Sequence, residues 1–208
     1  MKIEIVVGNI VKQPDMEALV NSANANLRFG SGVAGAIHTA AGPKLEEYCK
    51  PFAPLALGAG LITPGFKLPN PWVIHVRSAH YINNDEPEKY MQMALESMLR
   101  LANDNDIRSL AMPAIGTGMF KFPPILAARI ICQALHRSDE LAPFLQNVRI
   151  CLTDADMVQL FESANAEVQT VEWHPKLSHF EENLHPNLSH PNRLSCLIFE
   201  QGLDSPNF

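Results

Sequence analysis

Apolar and polar positions along the 208-residue chain alternate between two periods, and each change of period marks a new element. "KIEIVV" is β-rich and ends at Gly8, and "EALVNSA" (17–23) is a short apolar run that predicts a buried strand. From Gly32 to Tyr48, small and apolar residues recur at helical spacing, with Ala36, Ile37, Ala40, Ala41 and Leu45 on one face. "GAGLITPGFKLP" (58–69) predicts a strand and a turn, and the β-branched "WVIHVRSA" (72–79) a further strand. Pro87 opens the strongest amphipathic helix, with Met91, Leu95, Met98, Leu99 and Leu101 on or beside its apolar face. Proline suits a first helical turn because the N–H it lacks has no partner there anyway. "SLAMPAI" (109–115) reads as a buried strand and "PPILAARIICQALHRS" as the next helix. "NVRICLTD" (147–154) reads as a strand, "DADMVQLFESAN" as a helix and "EVQTVEW" (167–173) as a last strand.

Strands alternating with helices over about 170 residues predict an α/β fold, a three-layer α/β/α sandwich around a mixed, largely parallel sheet. Helix-length crossovers favour parallel pairing, and ligands of such sheets settle outside the carboxyl ends of the strands. After Trp173 the texture changes. The last stretch holds four of the eight histidines, several prolines and a near-repeat, "HPKLSH" (174–179) and "HPNLSH" (185–190). The expected organisation is one domain over residues 1–172 and a His/Pro-containing extension over 173–208.

Composition narrows the function classes. A net charge of -6 argues against non-specific nucleic-acid binding, which depends on Lys and Arg neutralising phosphates, but not against one small anion in a local pocket. No apolar run approaches the roughly 20 residues that span a bilayer, and the start carries no cleavable signal pattern. Cys49, Cys132, Cys151 and Cys196 lie far apart without CxxC pairing, the usage of isolated thiols in a reducing cytoplasm. His174, His179, His185 and His190 have spacings that do not stack on one helix face, and three precede proline, so no metal site is expected. No cofactor is implied.

Two loops carry the candidate chemistry: "NSANANLRFGSGVAGAIHTAAG" (21–42) and "IGTGMFKF" (115–122). Each follows a buried strand, carries closely spaced glycines and leads into a helix. Glycine lets backbone amides point into a concavity, and helix N-termini favour anions. One such loop is equally well a tight left-handed turn; two at strand ends of one domain could grip a diphosphate from both sides.

In order and spacing, "VGNI" (7–10), "LVNSANANLRFGSGVAGAIHTAAG" (19–42), "LITPGFKLPNPWVIH" (61–75) and "MPAIGTGMFKFP" (112–123) resemble the signature segments of the macrodomain family. The resemblance covers about residues 1 to 172. It implies binding of ADP-ribose, free or on a mono-ADP-ribosylated protein; the hydropathy gives no membrane partner, and the acidic balance makes RNA binding the weakest alternative. It also implies the pocket. Asn9, with Ile10 beside it, stands where the family usually has an aspartate that accepts a hydrogen bond from the adenine amino group. Asn24 matches the asparagine that reaches the distal ribose. Gly30, Ser31, Gly32 and Val33 match the first phosphate loop, with Ser31 replacing a usual glycine. Gly116, Thr117, Gly118, Met119 and Phe120 match the second, Phe120 covering the distal ribose. Lys121 replaces a usual glycine, and Thr153 stands where many members stack an aromatic ring on adenine.

Turnover is a separate question. Many members resemble hydrolases, and one large group uses an aspartate where this chain has Ala34; others use a histidine where it has Phe29. With both positions apolar, the resemblance implies binding with weak or no turnover. The alternative is hydrolysis of mono-ADP-ribosyl esters or deacetylation of O-acetyl-ADP-ribose, with Asn24 as the catalytic residue orienting water. A missing protein base would cost a factor of about 10² to 10⁴. His38 reads as a packed helix residue bonded to backbone, His75 and His80 as part of a half-buried strand, and Cys132 and Cys151 as core.

Overall fold

The computed structural model describes residues 1–170. Six strands, β1 (Lys2–Val7), β2 (Ala18–Ser22), β3 (Gly60–Pro64), β4 (Trp72–Val76), β5 (Ser109–Pro113) and β6 (Asn147–Leu152), form one sheet in the order β1-β6-β5-β2-β4-β3. All neighbours pair in parallel except β3, which runs antiparallel to β4 at the edge. The sheet is mixed and largely parallel, as the helix-length crossovers predict.

Period-two alternation sorts the strand residues onto two faces. Ala18, Val20, Ile74, Val76, Leu110, Met112, Val148 and Ile150 point one way. There they meet α3 (Pro87–Asp104), α4 (Pro124–His136) and α5 (Ala155–Thr170), whose Met91, Leu95, Met98, Ile131 and Phe161 are buried against them. Leu19, Leu61, Val73, Ala111 and Cys151 point the other way, toward α1 (Gly32–Ala41) and α2 (Pro43–Cys49). The result is the three-layer sandwich.

Two elements differ from the sequence expectation. The single helix expected from Gly32 to Tyr48 is broken in two. Gly42, at φ 84, donates its N–H to the His38 carbonyl and ends α1, and Pro43 starts α2. The strand expected at 167–173 is, as far as Thr170, the last turn of α5. Val168 and Thr170 are β-prone, but Met157, Phe161, Ala164 and Val168 continue a four-three-four stripe onto the core, and packing of that stripe outweighs local propensity. Residues 171–173, the histidine repeat and Cys196 lie outside the described residues.

Candidate functional site

Because β1, β6, β5 and β2 are parallel neighbours, the loops leaving their carboxyl ends stand side by side. In that order they carry Asn9, Thr153, residues 116–120 and residues 24–33. The expected site residues therefore collect along one edge of the sheet.

The loop after β2 is built around Asn24. Its Oδ1 accepts the backbone N–H of Asn26 at 3.1 Å and of Arg28 at 3.2 Å, and its Nδ2 donates to the Arg28 carbonyl at 2.8 Å. Leu27, at φ 53, turns its side chain inward to 1% exposure and anchors the loop in the core. Glu46 of α2 holds the far side, its Oε2 accepting the Phe29 N–H at 3.0 Å. The loop then lies down on α1: the Gly30 oxygen is 2.3 Å from where a Cβ on Gly35 would sit, so only glycine admits this approach. Gly32, at φ +61, faces open space. Ser31 starts α1 without a side-chain capping bond, and the first turn carries no acid. The first N–H groups of a helix have no intrahelical partner, so this end presents donors and a partial positive charge.

The loop after β5 is held by packing. A Cβ on Gly116, at φ +87, would lie 2.4 Å from the Met91 methyl and 2.8 Å from the Phe122 ring. The Thr117 hydroxyl donates to the Ala114 carbonyl at 2.9 Å, and Phe122 N–H returns to the Gly116 carbonyl at 3.0 Å. Tyr81 N–H donates to the Phe120 carbonyl at 2.7 Å, tying the loop to the segment after β4, and the Tyr81 and Phe122 rings lie 5.1 Å apart. Gly118 faces open space, Phe120 is half-buried, and Met119 and Phe29 stay exposed. Lys121 sits at φ 61, a left-handed conformation where glycine is the easier residue.

At the other end, Gly8 N–H donates to the Leu152 carbonyl at 3.0 Å, joining the tips of β1 and β6. The Asn9 carbonyl accepts from Lys12 N–H at 3.0 Å and from Gln13 Nε2 at 2.9 Å. Gln13 Oε1 in turn accepts from Arg149 at 2.9 Å, and Arg149 also pairs with Glu4 at 2.6 Å and Asp15 at 2.9 Å. Ile10 is buried. The Thr153 hydroxyl donates to Asp154 at 2.7 Å, and Asp154 accepts the Met157 N–H in the first turn of α5. Hydrogen bonds from Met157 N–H and the Thr153 hydroxyl hold the Asp154 carboxyl below its usual range.

Beneath α1 lies a buried polar group. His75 is not half-buried but fully enclosed, and His80 lies beyond the end of β4. Asn21 Nδ2 is 3.0 Å from His75 Nδ1, which makes that nitrogen the acceptor. Nε2 then carries the proton and donates to Thr63 Oγ1 at 3.1 Å. Burial, reinforced by His38, pushes the His75 pKa down to about 3. His38 is packed as expected, but neither ring nitrogen has a partner among the described residues; its backbone carbonyl accepts the Gly42 N–H. Burial also lowers the His38 pKa, partly offset by Glu46. The thiols of Cys49 and Cys132 are pushed up to about 12, and that of Cys151 to about 11, by burial. These groups are neutral near pH 7, and neither glycine loop contains a carboxylate. Among the described residues no His, Cys, Asp and Glu cluster is arranged to hold a metal ion.

Sequence reasoning missed Gly35, Glu46, Gln13 and Arg149. Gly35 left a signal, since a helix-interior glycine costs about 1 kcal/mol relative to alanine and calls for a packing reason. The others left none: Glu46 meets a partner 17 residues away, and Arg149, which also fixes Gln13, meets partners more than 130 residues away.

The model of the Macro domain family matches residues 20–131. The chain is 34% identical to the O-acetyl-ADP-ribose deacetylase of Enterobacter cloacae, over 77% of this chain and 92% of that protein. Its fold superposes with a TM-score of 0.75 on an Oceanobacillus iheyensis macrodomain solved with ADP, at 30% identity, covering 80% of this chain and 91% of the other. It superposes at 0.70 on a Trypanosoma brucei macrodomain in complex with ADP-ribose, at 29% identity, covering 77% and 68%. The chain belongs to the macrodomain family. Among the described residues, no helix is long and apolar enough to cross a membrane.

Proposed function

We propose that this protein binds ADP-ribose, free or attached to a protein, in the cleft between the 30–33 and 116–120 loops, with weak or no turnover. The observation that carries this reading is the uncapped, acid-free start of α1 beside a second glycine loop on the neighbouring strand. Backbone donors from both loops would hold the diphosphate. The base would run toward Asn9, Ile10 and Thr153, and the distal ribose would lie between Asn24 and Phe120. The relatives solved with ADP and ADP-ribose support the same ligand class. We read residues 1–172 as the binding domain and 173–208 as its extension.

Weak turnover follows from chemistry. Ala34 is 6% exposed, with its methyl 3.7 Å from where a Gly30 Cβ would be, so the wall beside Asn24 is apolar. Asn24 uses its oxygen on two loop amides and one N–H on Arg28, leaving a single N–H toward a ribose. It is a positioning group, not a base. The second reading, deacetylation or ester hydrolysis, is favoured by the name of the Enterobacter relative. Calorimetry with ADP-ribose beside AMP and NAD, together with a glutamate-linked mono-ADP-ribosylated protein, separates the two. The binding reading expects ADP-ribose to bind most tightly and the modified protein to persist for hours. Rapid loss of the modification would establish the hydrolase, and Ala34→Asp should then accelerate it.

A further inference from the structure

The base end of the cleft differs from its phosphate end in having its donors and acceptors fixed by side chains. With a diphosphate between the loops after β5 and β2, the nucleoside has two directions. One of them, toward β2, is taken by the distal ribose, proposed above to lie between Asn24 and Phe120. Toward β6 and β1 the exposed Asn9 lies two strand spacings, about 10 Å, from β5.

Asn9 is held in one orientation. Its Oδ1 accepts the Val11 N–H at 3.1 Å, and turning the amide over would set two donors against each other. Its carbonyl is braced by Lys12 and by Gln13, and Gln13 by Arg149, so the residue does not swing as a unit. Among the described residues its Nδ2 has no hydrogen-bond partner. The edge left to meet a base is therefore a donor. An aspartate at the same place would offer only acceptors and would repel a carbonyl oxygen.

We infer that Asn9 removes discrimination at carbon 6 of the purine, so that the cleft takes 6-oxopurine diphosphoribose nucleotides alongside the adenine one. The Asn9 amide donates to the O6 of hypoxanthine or guanine. With adenine it donates to a ring nitrogen instead, and the Thr153 oxygen, whose proton is spent on Asp154, accepts from the amino group. Each base finds a partner.

The inference rests on the reading of the cleft as a nucleoside-diphosphoribose site, and titration calorimetry tests the two separately. ADP-ribose and its hypoxanthine analogue, inosine 5′-diphosphoribose, are titrated into the wild type and into Asn9→Asp. The substitution keeps an oxygen for the Val11 N–H, and a thermal melt checks its fold. Wild type should bind the two ligands within about threefold of each other, and Asn9→Asp should prefer adenine by about tenfold or more, the scale of one hydrogen bond to a charged acceptor. A tenfold adenine preference in the wild type, or an unchanged ratio in the variant, overturns the inference and leaves the cleft intact as a binding site. Absence of binding by either ligand overturns the cleft reading and the inference with it.

Discussion

The two faces of the sheet are filled by different chemistry. Against α3, α4 and α5 the buried side chains are almost all hydrocarbon, with Phe161, Met98, Leu95 and Ile131 at or near zero exposure. Against α1 and α2 a cluster of His75, Asn21, Thr63 and His38 is enclosed among Leu19, Ile37, Leu45 and Cys49. The helix that launches from the first glycine loop thus rests on a polar group in which His75 is fixed by hydrogen bonds with Asn21 and Thr63. The opposite face supplies stability that is indifferent to pH; this one couples stability to protonation.

Acid should expose that coupling most strongly. His75 titrates near 6.5 when unfolded and near 3 when folded, so between those values the unfolded chain binds a proton that the native state refuses. Its contribution is complete above about pH 6.5 and falls away as pH drops toward 3, a loss on the order of 5 kcal/mol. Glu4 and Asp15, lowered by their bonds to Lys2 and Arg149, add acid sensitivity in the same direction, but only below about pH 4.5. Urea denaturation between pH 7 and 4.5 isolates the contribution of the buried histidines, His75 foremost and His38 in the same direction. His75→Gln keeps hydrogen-bonding capacity without the titration and should flatten the slope; a variant with the wild-type slope would remove His75 as its source.

Gly35→Ala should come next. In an ordinary helix interior this change stabilises by about 1 kcal/mol. Here the new methyl meets the Gly30 carbonyl oxygen, so the sign reverses, with a loss of about 2 kcal/mol typical of overpacking. Because the displaced segment is the first glycine loop, ADP-ribose affinity should fall as well. A variant that melts higher than wild type and binds normally would mean that the loop does not depend on this contact.

How much of this was legible follows from how far each partner lies along the chain. The strands were readable because period-two and period-3.6 patterns are local, and parallel order followed from the length of the crossovers. The segment at 167–170 was misread because its β-prone residues are visible locally, whereas the stripe linking Phe161 to Val168 has meaning only against the core. The glycine loops were readable as turns leaving the ends of β2 and β5. The reach of Glu46 across to Phe29 was not, since a gap of 17 residues has no period. Nor was the enclosure of His75, whose partners come from β2 and β3.

On the hydrocarbon face, Phe161→Leu should cost about 1 kcal/mol, the range for a near-conservative core exchange. The loss should be equal at pH 7 and pH 4.5, and ADP-ribose affinity should not move. A pH-dependent loss measured by urea denaturation would mean that the two faces are not separable.

The smallest effect belongs to Glu46, which touches the first loop from outside the core. Glu46→Ala removes the acceptor of the Phe29 N–H, a loss of about 0.5–1 kcal/mol for an exposed bond. The loop would sample more positions when empty, so the loss should be felt in ligand affinity as a weakening of about two- to fivefold, while the melting temperature barely changes. Glu46→Gln keeps an oxygen for the same N–H and drops the charge. If the carboxylate acts as an anchor, Gln should lie close to wild type in calorimetry. If Gln instead binds as weakly as Ala, the charge and not the bond orders the loop, and if both bind as wild type, α2 has no part in shaping the cleft.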